Sequence, residues 1–360
     1  MISELASLNC SNGGSSERSC SQVLRDKSHN NLKAVCRDWE TMLSKPNFYV
    51  DRKISGTSEQ LICLIRQDLD MDPRVHKVTI SVYDPAEGTL ESLPAIDEPQ
   101  CRGIPKRCEC VAVNQKLFLI GGMRPFSSIA MKSVYIYDFV SARWSRGADM
   151  STPRHSFASS VSSSTGLIYV AGGESAELSE NPTAAAEAYN VEEDRWEVLP
   201  PMIQPRSHDC RGVFFEGKFM VISGDPSDRS AEVFDPSAGT WRRLEDRMWV
   251  SLREKVGHIS YCLVATSTDS LYLFTRYDIL KYDGGNNFWT TVATLPPHTC
   301  IGSETLAVTE WRDWVFVTGI NFYNLGKPFY YLFNPSKGQF IEFSTGEGDI
   351  IVTSAATIEI

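Results

Sequence analysis

The sequence predicts an all-β protein, six blades of about four strands each closed into a β-propeller, preceded by a short α-helical segment. Three observations predict it. A unit of about fifty residues recurs along the chain, longer than helical repeats of about 34 or 42 residues. The clearest units carry a glycine step after a short apolar run: Leu119-Ile120-Gly121-Gly122, Val170-Ala171-Gly172-Gly173 and Ile222-Ser223-Gly224-Asp225. Each then continues into an aromatic strand and a tryptophan: Tyr135-Ile136-Tyr137-Asp138 with Trp144, Ala188-Tyr189-Asn190 with Trp196, and Val233-Phe234-Asp235 with Trp241.

Residues 9–22 are rich in Ser, Gly and Asn and have no apolar period, so residues 1–22 are expected to be a disordered tail. From Ser28 onward Leu32, Val35, Cys36, Trp39, Met42 and Leu43 fall at the spacing of one helical face. Ser28 offers an N-cap, and Pro46 is expected to close the stretch. A stripe of that width must pack on the rest of the chain or on another protein.

Residues 55–360 read as strands, short β-branched and aromatic runs punctuated by Gly, Pro, Asn and Asp. The third unit shows four of them: Phe157 to Val161, Leu167 to Ala171, Glu187 to Asn190 and Trp196 to Leu199. Last-strand landmarks at Leu90, Trp144, Trp196, Trp241, Trp289 and Phe340 count six units. The first unit offers only Gln60 to Ile65, Lys77 to Tyr83 and Leu90 to Leu93, while Ile350 to Ile360 is strand-like and unassigned. An unpaired strand edge invites aggregation, so residues 350–360 are expected to complete blade one.

The chain has 360 residues, 42 % hydrophobic and 22 % charged, an ordinary globular composition. Its net charge of -10 and the lack of a Lys/Arg run argue against binding nucleic acid, whose phosphates need a basic surface. No apolar run is long enough for a membrane span and the start does not resemble a signal peptide, so a cytoplasmic or nuclear protein with reduced cysteines is expected.

Within each unit the order of Gly-Gly, Tyr or Phe before Asp, Trp, then a Pro-Arg step (Pro153-Arg154, Pro205-Arg206) resembles the kelch motif, strongly over about residues 100 to 250. The Gly pair is lost in blades five and six, where Thr275-Arg276 and Thr318-Gly319 stand in its place. The run His29-Asn30-Asn31-Leu32-Lys33-Ala34-Val35-Cys36-Arg37-Asp38-Trp39 resembles the second half of an F-box. Together they are similar to the plant F-box/kelch-repeat family. That resemblance implies a kelch-type propeller over 55–360, partial F-box helices over 23–50, and no enzymatic activity or cofactor. It also implies partners: a Skp-type adaptor of a cullin ubiquitin ligase, met by Leu32, Val35, Cys36 and Trp39, and a target protein held by the propeller for ubiquitination. The Leu-Pro start and first apolar helix of an F-box are absent, so the motif reads as N-terminally truncated, and the alternative is an interaction scaffold or decoy outside any ligase.

Aligning units on proline gives Pro105-Lys106, Pro153-Arg154 and Pro205-Arg206, with His155 and His208 close by. One reading makes Lys106, Arg154, His155, Arg206 and His208 a positive rim for acidic side chains of a target, since guanidinium forks pair bidentately with carboxylates. The other has Arg154 and Arg206 bridge blades through Glu187 and Glu232. The tryptophans read as blade packing. Cys101, Cys108 and Cys110 lack a second ligand set for zinc. Asp68, Asp70 and Asp72 fail as a calcium loop at Pro73 and Thr79, and the six histidines do not recur as copper ligands would require. No hydrolase, phosphate-loop or dinucleotide motif is present.

Overall fold

The computed structural model describes residue 41 and residues 45–68, 78–98, 101–125, 127, 129–175, 183–206, 210–223, 230–244, 262–275, 277–286, 288–296, 306–321, 327–343 and 350–360. The expected tail, the stripe of Leu32, Val35, Cys36 and Trp39, His208 and the connection 69–77 lie outside the described residues.

Helix α1 spans Pro46–Ile54. Pro46 opens this helix, because its fixed φ and missing N–H suit the first helical position; the stretch it is expected to close lies outside the described residues but for residue 41. Arg52 and Lys53 occupy the last turn, where cations favour the helix dipole. Phe48 and Tyr49 are buried with ring centroids 5.2 Å apart, edge to face, and burial pushes the Tyr49 hydroxyl up to about 12.

Six antiparallel sheets of four strands follow. Blade one holds β1 (Gln60–Asp68), β2 (Val78–Asp84) and β3 (Thr89–Ser92), and a short ladder of β4 (Asp97–Glu98) and β5 (Cys101–Arg102) leads on. Blade two is β6 (Glu109–Val113), β7 (Lys116–Ile120), β8 (Val134–Asp138) and β9 (Arg143–Gly147). Blade three is β10 (Ala158–Val161), β11 (Ile168–Ala171), β12 (Ala186–Asn190) and β13 (Arg195–Leu199). Blade four is β14 (Arg211–Phe215), β15 (Lys218–Ile222), β16 (Ala231–Asp235) and β17 (Thr240–Arg243). Blade five is β18 (Cys262–Thr266), β19 (Ser270–Phe274), β20 (Asp278–Asp283) and β21 (Phe288–Thr294). Blade six is β22 (Ala307–Trp311), β23 (Trp314–Asn321), β24 (Lys327–Asn334) and β25 (Gln339–Phe343). The last strand, β26 (Ile350–Glu359), returns to blade one and pairs with β1 from Gln60↔Glu359 to Asp68↔Ile350, giving the order β26-β1-β2-β3.

Each sheet buries both faces against its neighbours, so the apolar residues collect between blades. Ile65, Tyr135 and Ile358 lie between blades one and two; Phe118, Phe157 and Tyr189 between two and three; Tyr169, Phe219 and Phe234 between three and four. Ile222, Leu280 and Trp289 fill the gap from four to five, Phe274, Val317 and Phe333 that from five to six, and Leu64, Tyr83 and Phe316 that from six back to one. Each such side chain contributes roughly 1.5–3 kcal/mol on burial.

One local device recurs in all six blades. The last residue of the third strand is Asp84, Asp138, Asn190, Asp235, Asp283 or Asn334, and its Oδ1 accepts the backbone N–H two residues on at 2.8 to 3.0 Å. The residue before it stacks on the landmark of the fourth strand: Tyr137 on Trp144, Tyr189 on Trp196, Phe234 on Trp241, Tyr282 on Trp289 and Phe333 on Phe340, with centroids 4.9 to 5.4 Å apart.

The glycine pair has a steric cause. A Cβ on Gly122 would stand 2.7 Å from the Lys106 carbonyl oxygen, and one on Gly173 would stand 2.6 Å from that of His155. In blade six the equivalent pair is Gly319-Ile320, one place beyond the expected Thr318-Gly319. The ladder sets this, since Thr318 pairs with Ala307 as Ala171 pairs with Ala158, and β23 runs straight through to Asn321.

Among the described third-to-fourth-strand hairpins, two carry a positive φ on a residue other than glycine, Ala142 (53°) and Asp194 (48°). Ala142→Gly is expected to raise the unfolding free energy by about 1 kcal/mol. Asp194→Gly relieves the same strain but loses the bonds that the Asp194 carboxylate accepts from Tyr189 Oη (2.5 Å) and the Ala148 amide (2.7 Å), so it is expected to lower stability. Denaturant titration reads both signs. Deleting residues 350–360 strips blade one of its innermost strand and is expected to lower the melting temperature by roughly 10 °C or more; calorimetry checks it.

Candidate protein-interaction surface

A meander of antiparallel strands sends its connections to two ends of the ring. At one end lie the third-to-fourth-strand turns, 85–88, 139–142, 191–194, 236–239, 284–286 and 335–338, together with the first-to-second-strand turns, of which 114–115, 216–217 and 312–313 are the tightest. At the other end lie the second-to-third-strand and blade-to-blade connections, whose described parts include 121–125, 129–133, 148–157, 172–175 and 183–185. The third-to-fourth-strand turns are short; the connections at the other end are longer in sequence and more varied, as recognition surfaces use. Helix α1 enters β1 from the tight end, where Lys53 Nζ meets Glu359 Oε2 at 2.8 Å.

Lys106, Arg154, His155 and Arg206 all lie on blade-to-blade connections at the long-loop end. Arg154 and Arg206 do not form a rim there, because both side chains are fully buried. The backbone of Arg154 belongs to blade two, its N–H donating to Met131 and its carbonyl accepting from Gly122. Its guanidinium reaches into blade three, donating to the Gly172 and Ala185 carbonyls at 2.9 Å each and to Glu187 Oε1 at 2.7 Å. Glu187 also accepts the Ser151 amide at 2.7 Å. Burial pulls the guanidinium below its ordinary value and Glu187 opposes the shift. Arg206 repeats the arrangement between blades three and four: its carbonyl accepts from Gly173, its guanidinium donates to Ser230 O at 3.0 Å and Glu232 Oε1 at 2.8 Å, and Glu232 accepts the Ile203 amide at 2.6 Å. These two pairs are bridges between blades, and their charge is spent on each other.

Lys106 occupies a different place in its blade. It pairs with Met123 as His155 pairs with Glu174, and the next residues, Arg107 and Ser156, share φ 52°. Lys106 therefore matches His155, and Pro105 matches Arg154. Aligning on proline shifts this connection by one residue, because Pro105 stands one residue and Pro153 two residues before the member that pairs across it. At the Glu187 position blade two has Tyr135, by the register Leu119↔Tyr135 against Val170↔Glu187. Arginine and glutamate are thus replaced together.

Lys106 is half-buried and is the one member of the expected rim with side-chain surface to offer among the described residues. His155 is buried, its Nε2 3.7 Å from Glu174 Oε2 and its Nδ1 3.2 Å from Ser156 Oγ. Sequence reasoning missed Glu174 because its contact with His155 crosses two connections. The tryptophans are packing elements: beyond their stacking, Trp144, Trp196 and Trp241 donate Nε1–H to Pro94, Ala148 and Pro200 carbonyls at 2.7 to 2.8 Å, each in the connection from the preceding blade.

The innermost strands β26, β6, β10, β14, β18 and β22 surround a channel of about 1130 Å³, lined in part by Ser159, Ser160, Arg211, Thr309, Thr353 and Thr357. Neighbouring blades share hydrogen bonds across it, Ser159 Oγ to Glu109 Oε2 at 2.9 Å and the Phe214 amide to Ser160 Oγ at 2.8 Å. Among the described residues no group of three His, Cys, Asp or Glu is placed to hold a metal. Cys63, Cys108, Cys110 and Cys210 are buried, and burial pushes the Cys63 and Cys110 thiols up.

Arg206→Met leaves Glu232 charged and buried, and is expected to cost about 3–5 kcal/mol in denaturant unfolding. Adding Glu232→Gln is expected to recover part of that loss, because the amide carries no charge and its oxygen still accepts the Ile203 N–H.

The kelch motif family model matches residues 105–151 and 157–203, the second and third blades with their leading connections, and no F-box model matches. The chain is 31 % identical over 254 residues to F-box/kelch-repeat protein At2g44130 of Arabidopsis thaliana, covering 61 % of this chain and 60 % of that protein. It is 32 % identical over 226 residues to F-box/kelch-repeat protein At1g80440 of the same plant, covering 60 % and 63 %, and 28 % identical over 286 residues to F-box/kelch-repeat protein At1g15670, covering 75 % and 77 %. The matched region thus spans about three fifths of the first two relatives. By its fold, its repeats and these relatives, the chain is a kelch-repeat β-propeller protein related to the F-box/kelch-repeat proteins of plants.

Proposed function

We propose that this protein is a target-binding subunit of an SCF-type cullin ubiquitin ligase, working in the cytoplasm or nucleus. Residues 23–50, through Leu32, Val35, Cys36 and Trp39, dock on the Skp-type adaptor, and the long-loop end of the propeller holds the protein to be ubiquitinated. It binds and positions; the bond chemistry belongs to the rest of the ligase. One observation carries the reading. Helix α1 joins the ring at the tight-turn end, so an adaptor bound to the preceding segment leaves the long connections, on the opposite end, clear for a target.

A second reading, a kelch scaffold or decoy outside any ligase, is favoured by the missing first half of the F-box and by the lack of a matching F-box model. One experiment separates them. Co-purification with the Skp-type adaptor, weakened at least about tenfold by Leu32→Ala with Trp39→Ala, is expected under the first reading. A folded propeller that retains no adaptor supports the second.

A further inference from the structure

Residues 52–60 and 359–360 form a knot of contacts at the place where the ring closes. Arg52, fully buried on a helix of nine residues, donates Nη2–H to the Thr57 carbonyl at 2.9 Å and meets Glu59 Oε1 at 3.4 Å. Glu59 exchanges both backbone bonds with Ile360, at 2.7 and 2.9 Å. Ser58 Oγ donates to Glu359 Oε1 at 2.6 Å while Lys53 Nζ holds the other carboxylate oxygen at 2.8 Å, and these partners keep the Glu359 carboxyl below its usual range against the opposing effect of burial. Blade six joins from the far side: Trp311 donates Nε1–H to the Gln60 carbonyl at 2.7 Å, and the Arg312 amide donates to Gln60 Oε1 at 2.8 Å.

We propose that helix α1 is a splint across the seam of the ring, so that the helix and the closing strand β26 order each other as one cooperative unit. The physical argument lies in which groups are exchanged. The exposed Lys53–Glu359 pair alone contributes little, being screened by water. The Arg52 guanidinium is different: it is fully buried, so its burial is less costly while Thr57 O and Glu59 are in place, and Glu59 is held in place by Ile360. Opening the seam takes away the partner of a buried charge, and fraying the helix takes away the clamp on the end of β26. Helix α1 therefore leaves the ring in a fixed direction only while the ring is closed. This coupling does not depend on which partner the protein meets.

Hydrogen exchange on the full chain, followed by mass spectrometry, tests it. Ile358→Thr weakens the buried face of β26 without removing the strand, and Val233→Thr is a control of similar chemistry in blade four. Ile358→Thr is expected to speed exchange of the α1 amides by about tenfold or more, and Val233→Thr to leave them unchanged. In the reverse direction Arg52→Met is expected to speed exchange over residues 350–359 while blade three keeps its protection. The proposal is overturned if the α1 amides ignore Ile358→Thr, if they respond equally to Val233→Thr, or if Arg52→Met loosens the helix alone.

Discussion

The pairing of β26 with β1 is the interaction on which the rest of this molecule depends. Among the described residues the axis is a channel, and the buried apolar side chains sit in six separate layers, each made by two adjoining blades. A layer exists only while both of its walls stand. A ring that lacked its last strand would leave Ile62 and Leu64 without the Val352 side of their layer, and the cost would pass to both neighbouring layers. Blade one, among the described strands the sheet assembled from distant parts of the sequence, is therefore where the order of the whole ring is decided.

The layers are not chemically alike. Between blades two and three, and again between three and four, a buried arginine crosses the gap to a glutamate that also holds two backbone amides of the connection. Those bonds impose direction and spacing in a way that apolar contact cannot, while the desolvation of two charges cancels much of the gain. Blade two, with Pro105 and Tyr135 at the corresponding places, fixes its connection through proline rigidity and ring packing instead. Both solutions keep the blade spacing. A mixed pair would strand a charge, which is why the two positions are found changed together.

Much of this was legible in the primary structure because the repeat reports it several times over. Tyr137 with Trp144, Tyr189 with Trp196 and Phe234 with Trp241 share a spacing set by a hairpin of fixed length, so their period survives in the text of the sequence. Connections have no such ruler. Pro105-Lys106 looked equivalent to Pro153-Arg154, and Thr318-Gly319 to a glycine pair, until strand register fixed each one residue away. The expected cationic rim failed for a related reason: an arginine beside a proline turn reads the same whether its guanidinium meets water or a glutamate in the next blade. Asp194 was invisible altogether, since nothing in its neighbourhood announces a left-handed backbone held by a tyrosine.

The two ends of the ring have been put to different uses. The third-to-fourth-strand hairpins 85–88, 139–142, 191–194, 236–239 and 335–338 have four residues each and make one side a level platform, on which the first-to-second-strand turns vary from 114–115 to the longer 162–167. Because Glu59 and Ile360 are hydrogen-bonded neighbours, both strands of the seam begin and finish on the level side. Antiparallel strands held at adjacent ends resist pulling poorly, for the load falls on one rung of the ladder at a time instead of on all rungs together. A motor that gripped this protein by its final residues would peel β26 away like a zip, and the fold would yield at its weakest mechanical axis first.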